Sequence, residues 1–229
     1  KRPAFNISQI IYRLAEMFEA RKSEFVNILE SQGKTASHAK AEIENSIDLL
    51  VYYAGWADKY QQVFSSVNPV SGNFFNFSVY EPTGVVVSMA NETISFFALL
   101  KIKAQIIIDA YPNLSVLDTN FAPSAISFAE VIATSDFPSG VINIITAKTD
   151  ELIDHASKHM DVNAFAGVGL NKTQVELTEA NAFNNVKRIK NYSVQNLNEE
   201  PNPYLILDFQ EVKTTWHPID EPIAGANSY

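Results

Sequence analysis

The sequence predicts an α/β fold built on a five-stranded parallel sheet, and three observations carry that prediction. Short β-branched runs recur at 84–88, 114–117 and 141–146. Each lies beside a residue that opens or closes turns: Gly84, Asn113 and Gly140. Helix-length segments separate the runs, as parallel neighbours require. Such sheets place ligands beyond the carboxyl ends of their strands, so the loops after these runs are where function is to be sought.

Taken in order, the first helix is expected to start at an N-cap Ser8. Ile7, Ile10, Ile11, Leu14, Ala15 and Phe18 follow at helical spacing, and the pattern continues through Phe25, Ile28 and Leu29 to Gly33. A second helix is expected over 37–64, with Ile43, Ile47, Leu50 and Val51 on one stripe. Both read as packing elements of an N-terminal region, 1–72. Residues 73–80 alternate as a strand does, with Phe75, Phe77 and Val79 on one face and Asn76, Ser78 and Tyr80 on the other. This strand stands outside the parallel pattern and reads as an arm. Strand 84–88 then opens the sheet, and loop 89–93 leads into a helix ending near Tyr111. Strands 114–117, 141–146, 162–166 and 186–191 alternate with helices 124–135, 149–158 and 172–185. Residues 192–203 are polar and rich in Asn and Pro, a linker. Strand character returns over 205–216, and the last dozen residues read as a loose tail.

The 229 residues are 46% hydrophobic and 19% charged, enough apolar material for one core. A net charge of −9 argues against a nucleic-acid partner. The densest basic cluster is Lys187, Arg188 and Lys190, which strand alternation is expected to divide between two faces. Cysteine is absent, which excludes a disulfide, a thiolate metal site and a cysteine nucleophile within these residues. The longest apolar stretch, 94–108, is interrupted by Lys101, Lys103 and Gln105. It reads as a helix with a buried face rather than a bilayer span, and no membrane partner is expected. His155 and His159 stand four apart, but Met160-Asp-Val-Asn163 is expected to end the helix between them, so no metal site is expected. No signal peptide and no initiator Met are read at the start. The chain is therefore expected to be a processed piece of something longer, with a cytoplasmic location.

Several motifs carry a resemblance. Tyr53-Ala-Gly-Trp-Ala-Asp-Lys59, Glu81-Pro-Thr-Gly-Val-Val86 and Pro138-Ser-Gly-Val-Ile-Asn-Ile144 resemble the aldehyde dehydrogenase superfamily, in that order and at about its spacing. Met160-Asp-Val-Asn-Ala-Phe-Ala-Gly167 resembles the strand and turn that follow. Phe209-Gln-Glu-Val-Lys-Thr-Thr215 resembles the family's C-terminal oligomerisation strand. The resemblance covers nearly the whole chain. Ala129-Glu-Val-Ile-Ala-Thr-Ser-Asp136 and Thr215-Trp-His-Pro218 are similar in particular to the second, non-catalytic copy in the two-module subfamily, family sixteen. The resemblance implies a Rossmann-like cofactor-type domain at 84–191 with helices on both faces. It also implies a small antiparallel β oligomerisation arm made of 73–81 and 204–217. The family's catalytic domain lies between the fifth strand and the C-terminal strand. Here only the linker 192–203 lies between them, so that domain is expected to be deleted.

The family's reaction starts with a Cys thiolate attacking the aldehyde, after which hydride passes to a nicotinamide. No Cys exists here, and a Ser in its place would need an activating base for which no Ser/His/Asp spacing is recognisable. The family's general-base Glu falls near Tyr192, which is not a base at neutral pH. Its oxyanion-stabilising Asn corresponds to Asn91 across an alignment gap, and Asn91 reads more simply as a loop residue or cap. The Lys and Glu that hold the adenosine ribose align with Leu117 and Asn120, and the preceding Gly-Asn with Tyr111-Pro112. The turn Gly167-Val-Gly-Leu-Asn171 partly matches a phosphate-cradling loop, with Val168 where the family has a hydroxyl. Gly167, Val168 and Gly169 are thus the degenerate cofactor-binding candidates, with a tight turn as the alternative. No catalytic residue is expected, and no cofactor beyond residual NAD(P).

Two functional classes follow. In one, the chain is a non-catalytic interaction module whose short arm needs a partner to cover it. The candidate contact residues are Phe75, Phe77, Val79, Val212, Thr214 and Trp216. The partner is either a second copy, as a homodimer, or a catalytic aldehyde dehydrogenase module. In the other class, the chain is a residual NAD(P)- or nucleotide-binding module of an oxidoreductase.

Overall fold

The computed structural model describes residues 3–91, 94–108, 112–197 and 199–219. Four helices come first: Ala4–Ala20 (α1), Lys22–Ser31 (α2), Ala36–Trp56 (α3) and Tyr60–Phe64 (α4). The single helix expected up to Gly33 is broken at Arg21, whose φ of −103° and ψ of 13° leave the helical range. The Arg21 guanidinium holds Glu24 at 2.7 Å and Glu130 at 2.8 Å, and this contact keeps the Glu24 carboxyl below its ordinary range. The bend sets Phe25 edge-on to Phe18, ring centroids 4.7 Å apart, with Phe96 and Phe128 completing the cluster. Ser8 is not a cap. Pro3 holds the N-cap position, and Ser8 is buried within α1, its Oγ donating to the Ala54 carbonyl at 2.8 Å. The second long helix is capped by Thr35 and stops at Trp56, eight residues before its expected end, leaving α4 as a separate turn.

Ser66–Asn68 (β1) and Phe74–Pro82 (β2) begin a small antiparallel sheet. The parallel sheet follows: Val86–Ala90 (β3), Asn113–Leu117 (β4), Ile142–Thr146 (β5), Ala164–Val168 (β6) and Arg188–Tyr192 (β7), in the order β5-β4-β3-β6-β7. Both β3 and β6 are buried along their whole length, the condition of strands covered on two faces. The crossover helices are Phe96–Ile107 (α5), Ala122–Ala133 (α6), Thr149–Lys158 (α7) and Lys172–Phe183 (α8). Strand alternation sorts them. Val86, Ala90, Leu117, Ala164 and Ala166 pack into the large cluster with α1, α3, α5 and α6. Val87, Met89, Val116 and Phe165 pack with Ile153 of α7 and Leu177 of α8. The expected end of α5 near Tyr111 lies outside the described residues, as does the tail from residue 220. No described helix is long and apolar enough to cross a membrane.

The stretch expected to be a linker contains a short helix, Val194–Leu197 (α9), whose Leu197 is fully buried. The buried Lys101 of α5 clasps this region, its Nζ donating to the carbonyls of Leu197 at 3.3 Å, Glu199 at 2.6 Å and Glu200 at 3.4 Å. The Tyr53 hydroxyl adds a bond to the Asn202 carbonyl at 3.2 Å. Pro203–Phe209 is a 3₁₀ helix where the sequence predicts strand from Leu205. Asn202 caps it at the Tyr204 amide, and Ile206 and Phe209, three apart, eclipse on one side and are buried. The last strand, Gln210–Pro218 (β8), then pairs with β2, giving the order β1-β2-β8.

Candidate nucleotide site and docking edge

The chain leaves β3 for β4 on one side and reaches β6 on the other, so the switch point lies between β3 and β6. A cavity of about 420 Å³ opens at the carboxyl ends there, lined by Asn91, Asp118, Thr119, Asn120, Lys148, Thr149, Asp150, Asn171 and Gln174. A larger one, about 940 Å³, lies elsewhere, among α3, the start of α5 and Glu199–Pro201, with Glu42 and Asp48 on its wall. The smaller is the candidate because it sits where this topology places ligands.

Its floor is a closed hydrogen-bond network. Asn91 Nδ2 donates to the Gly169 carbonyl at 3.0 Å and to Gln174 Oε1 at 3.1 Å. Gln174 Nε2 donates to Asp150 Oδ1 at 2.7 Å. Asn171 and Gln174 form a reciprocal capping box at the start of α8, each accepting from the other's amide at 3.0 Å. Asp118 accepts from the Asn120 amide at 3.0 Å. The first turn of α7 carries Asp150 and Glu151. Gln174 went unnoticed in the sequence, although the Asn-x-x-Gln spacing is the signal that could have found it.

Gly167 and Val168 end β6, and Gly169 turns the chain at a φ of +64°. The Gly169 amide donates to the Tyr192 carbonyl at 3.0 Å, and the Asn91 amide to the Val168 carbonyl at 3.2 Å. A Cβ on Gly167 would stand 2.3 Å from Asn191 Oδ1 and 2.5 Å from Leu170 Cδ1. The space that this glycine leaves is filled by the protein's own side chains.

Asn91 thus joins the cavity floor as a tie between β3, the β6 turn and α8. Tyr192 meets that turn through its backbone carbonyl, which accepts the Gly169 amide. Its hydroxyl donates to Asp208 Oδ2 at 2.8 Å, and burial and that carboxylate push the phenol well above its ordinary range. Strand β7 begins at Arg188, later than expected; Arg188 and Lys190, two apart, share one of its faces, and Lys187 lies before the strand. Each has a carboxylate, Glu211 at 2.8 Å and Asp208 at 2.6 Å, while Lys187 caps α7 through the carbonyls of Ala156, Ser157 and His159. Helix α7 ends at Lys158, between His155 and His159. Among the described residues no group of His, Asp and Glu is arranged to hold a metal ion.

The register of the arm separates the six expected contact residues. Phe75, Phe77 and Val79 face His217, Thr215 and Lys213, whereas Val212, Thr214 and Trp216 face Tyr80, Ser78 and Asn76 on the opposite side. Phe75 and Phe77 lie tilted against each other on one face, ring centroids 5.5 Å apart, and Phe74 meets Trp216 edge-on at 5.8 Å on the other. The Ser78 and Thr214 hydroxyls bond at 2.8 Å across the strands. Val212 and Trp216 are each 58% exposed. Strand β2 is flanked by β1 and β8, and the far edge of β8 pairs with no described strand.

Comparison with known proteins gives one family. Residues 1–191 match the aldehyde dehydrogenase family. Aldehyde dehydrogenase, cytosolic 1, of Macroscelides proboscideus is 32% identical over 185 residues, which cover 79% of this chain and 36% of that protein. Omega-crystallin of Enteroctopus dofleini is 28% identical over 182 residues, with coverage of 78% and 36%. The NAD⁺ complex of an aldehyde dehydrogenase from Bacillus cereus superposes with a TM-score of 0.78 at 19% identity, covering 84% of this chain and 39% of that one. That last likeness is one of fold. The chain spans about a third of the length of the curated relatives it matches.

Proposed function

This chain belongs to the aldehyde dehydrogenase family, and from that premise we propose that it is a non-catalytic module of that family, working as an oligomerisation or docking domain. The observation that carries the reading is the outer edge of β8, which pairs with no described strand and offers backbone donors and acceptors beside exposed Val212 and Trp216. An edge of this kind is a template for strand addition. The partner is a second copy or a catalytic aldehyde dehydrogenase module. The non-catalytic half rests on chemistry. These residues contain no cysteine, the position of the family's general base falls near a tyrosine bound to Asp208, and α9 and the 3₁₀ helix occupy the sequence between β7 and β8 where the family keeps its catalytic domain. Size-exclusion chromatography with light scattering, with and without a catalytic aldehyde dehydrogenase module, tests the proposal. A strict monomer that ignores that module overturns it.

Residual NAD(P) binding is the second reading, favoured by the cavity at the switch point. Apart from Lys148, the groups around that cavity do not suit a pyrophosphate. Asp150 and Glu151 already neutralise the positive end of α7. The capping box uses an α8 amide, and Asn191 and Leu170 fill the space beside Gly167. The family's ribose-holding Lys and Glu are Leu117 and Asn120. Losing two hydrogen bonds of the charged kind weakens binding by roughly a hundred- to ten-thousand-fold. Calorimetry with NAD⁺ and NADP⁺ is expected to give no heat, and saturable heat would restore this reading.

A further inference from the structure

We propose that the β8 edge pairs with the β8 edge of a second copy of this chain, antiparallel and centred on Thr214. This deepens the docking reading and rests on it. The direction of the backbone groups comes from the ribbon's two ends. The Thr83 amide donates to the Phe209 carbonyl at 3.1 Å, and the Ile219 amide to the Asn73 carbonyl at 2.9 Å. Odd-numbered residues of β8 therefore turn their N–H and C=O toward β2, because in an antiparallel pair both groups of alternate residues point the same way. Val212, Thr214 and Trp216 turn theirs outward. The Gln210 carbonyl is already taken by Arg188 at 2.6 Å, and Pro218 has no N–H, so the free edge runs between them.

Side chains select the register. Centring on Thr214 sets Thr214 against its own copy, Val212 against Trp216 of the second copy, and Glu211 against His217 of the second copy. It forms about six backbone hydrogen bonds. Moving the centre to Lys213 sets two ammonium groups face to face, which is unfavourable. Centring on Val212 sets Trp216 against Asp208, which lies in the 3₁₀ helix, and centring on Trp216 carries the partner of Val212 beyond the described residues. The Thr214 register alone pairs all three outward-facing residues, joins the two exposed apolar ones and brings no like charges together.

The absence of cysteine makes the test clean. Light scattering of the full chain is expected to give twice the monomer mass. Thr214→Cys is expected to oxidise to a covalent dimer, since the Cα atoms of such a pair lie about 5.5 Å apart, within the span of a disulfide. Val212→Cys, facing Trp216 of the second copy, is not expected to do so. Thr214→Pro removes an outward N–H without touching the ladder to β2 and is expected to give monomer, whereas Thr214→Val keeps the N–H and stays dimeric. Equal cross-linking of Val212→Cys and Thr214→Cys overturns the register. A monomeric wild type that still binds a catalytic module through this edge overturns self-pairing and leaves the docking reading intact. A monomer that binds neither overturns both.

Discussion

At the scale of single residues, the buried lysines say most. Lys103 is 2% exposed, and its Nζ donates to Ser115 Oγ. Ser115 in turn donates to Asn113 Oδ1 at 2.7 Å and shares a bond with Ser88 Oγ at 2.9 Å. Among the described residues no carboxylate joins this group, and burial pushes the Lys103 ammonium down from 10.5 to about 7. Between those two values the unfolded chain holds a proton that the folded chain releases. This residue's contribution to stability therefore rises as pH climbs from about 7 to 10.5 and is flat below. Lys103→Met removes the desolvated amine and strands nothing, because Ser115 keeps Ser88 and Asn113. It is expected to stabilise the protein at pH 7 by about 1–3 kcal/mol and to flatten the alkaline rise relative to wild type. Paired urea titrations at neutral and alkaline pH measure both. A destabilised variant would mean that Lys103 is charged and held by something beyond these hydroxyls. The sequence showed two lysines interrupting an apolar run, which reads as a helix with one wet face. That Lys101 and Lys103 are both buried depends on tertiary partners: Leu197, far along the chain, and Ser115, on the next strand.

At the scale of elements, strands were legible where burial on two faces made them apolar throughout, as in β3 and β6. Boundaries were not. The break at Arg21 depends on Glu130, over a hundred residues away, and no local pattern announces it. β1 is three residues of Ser-Val-Asn, too polar and short to read as a strand. The 3₁₀ helix at Pro203–Phe209 hid inside a β-branched and aromatic stretch because its burial repeats every three residues. Gly84 marks the entry to β3 and shows how closely an element can depend on one position. Its φ is +121°, and a Cβ there would stand 2.3 Å from Asn163 Oδ1, the atom that accepts the Val85 amide at 2.8 Å. Gly84→Ala meets both the backbone strain and that contact, and is expected to destabilise by about 1–3 kcal/mol. The urea midpoint should fall with the slope unchanged. A shift below about 0.5 kcal/mol, typical of a surface change, would mean that the entry to β3 rearranges freely.

At the scale of the molecule, the closure of the candidate site was not legible in the sequence. Which side chains fill Gly167's space is a matter of packing between β6, β7 and the following turn. The same holds for the ribbon, whose strands were readable while their register, and hence the faces of Phe75 and Trp216, was not. Its attachment follows from the core. One apolar cluster runs from Ile7 in α1 through α3, α5 and β3 to Leu197, Ile206 and Phe209 at the root of β8. Trp56 sits at that junction, its ring 6.2 Å from Phe64, which in turn lies 5.1 Å from Tyr204. A core continuous across the junction should unfold together with it. In a Trp216→Phe variant, Trp56 is the only tryptophan left. Its fluorescence and the far-ultraviolet circular dichroism are expected to lose their native signals at the same urea concentration. Were the root of the ribbon a separate body merely tethered to the sheet, the Trp56 transition would come first. The free edge of β8 would then be carried on a loose flap, a far weaker platform for a partner than one fixed to the core by Ile206 and Phe209.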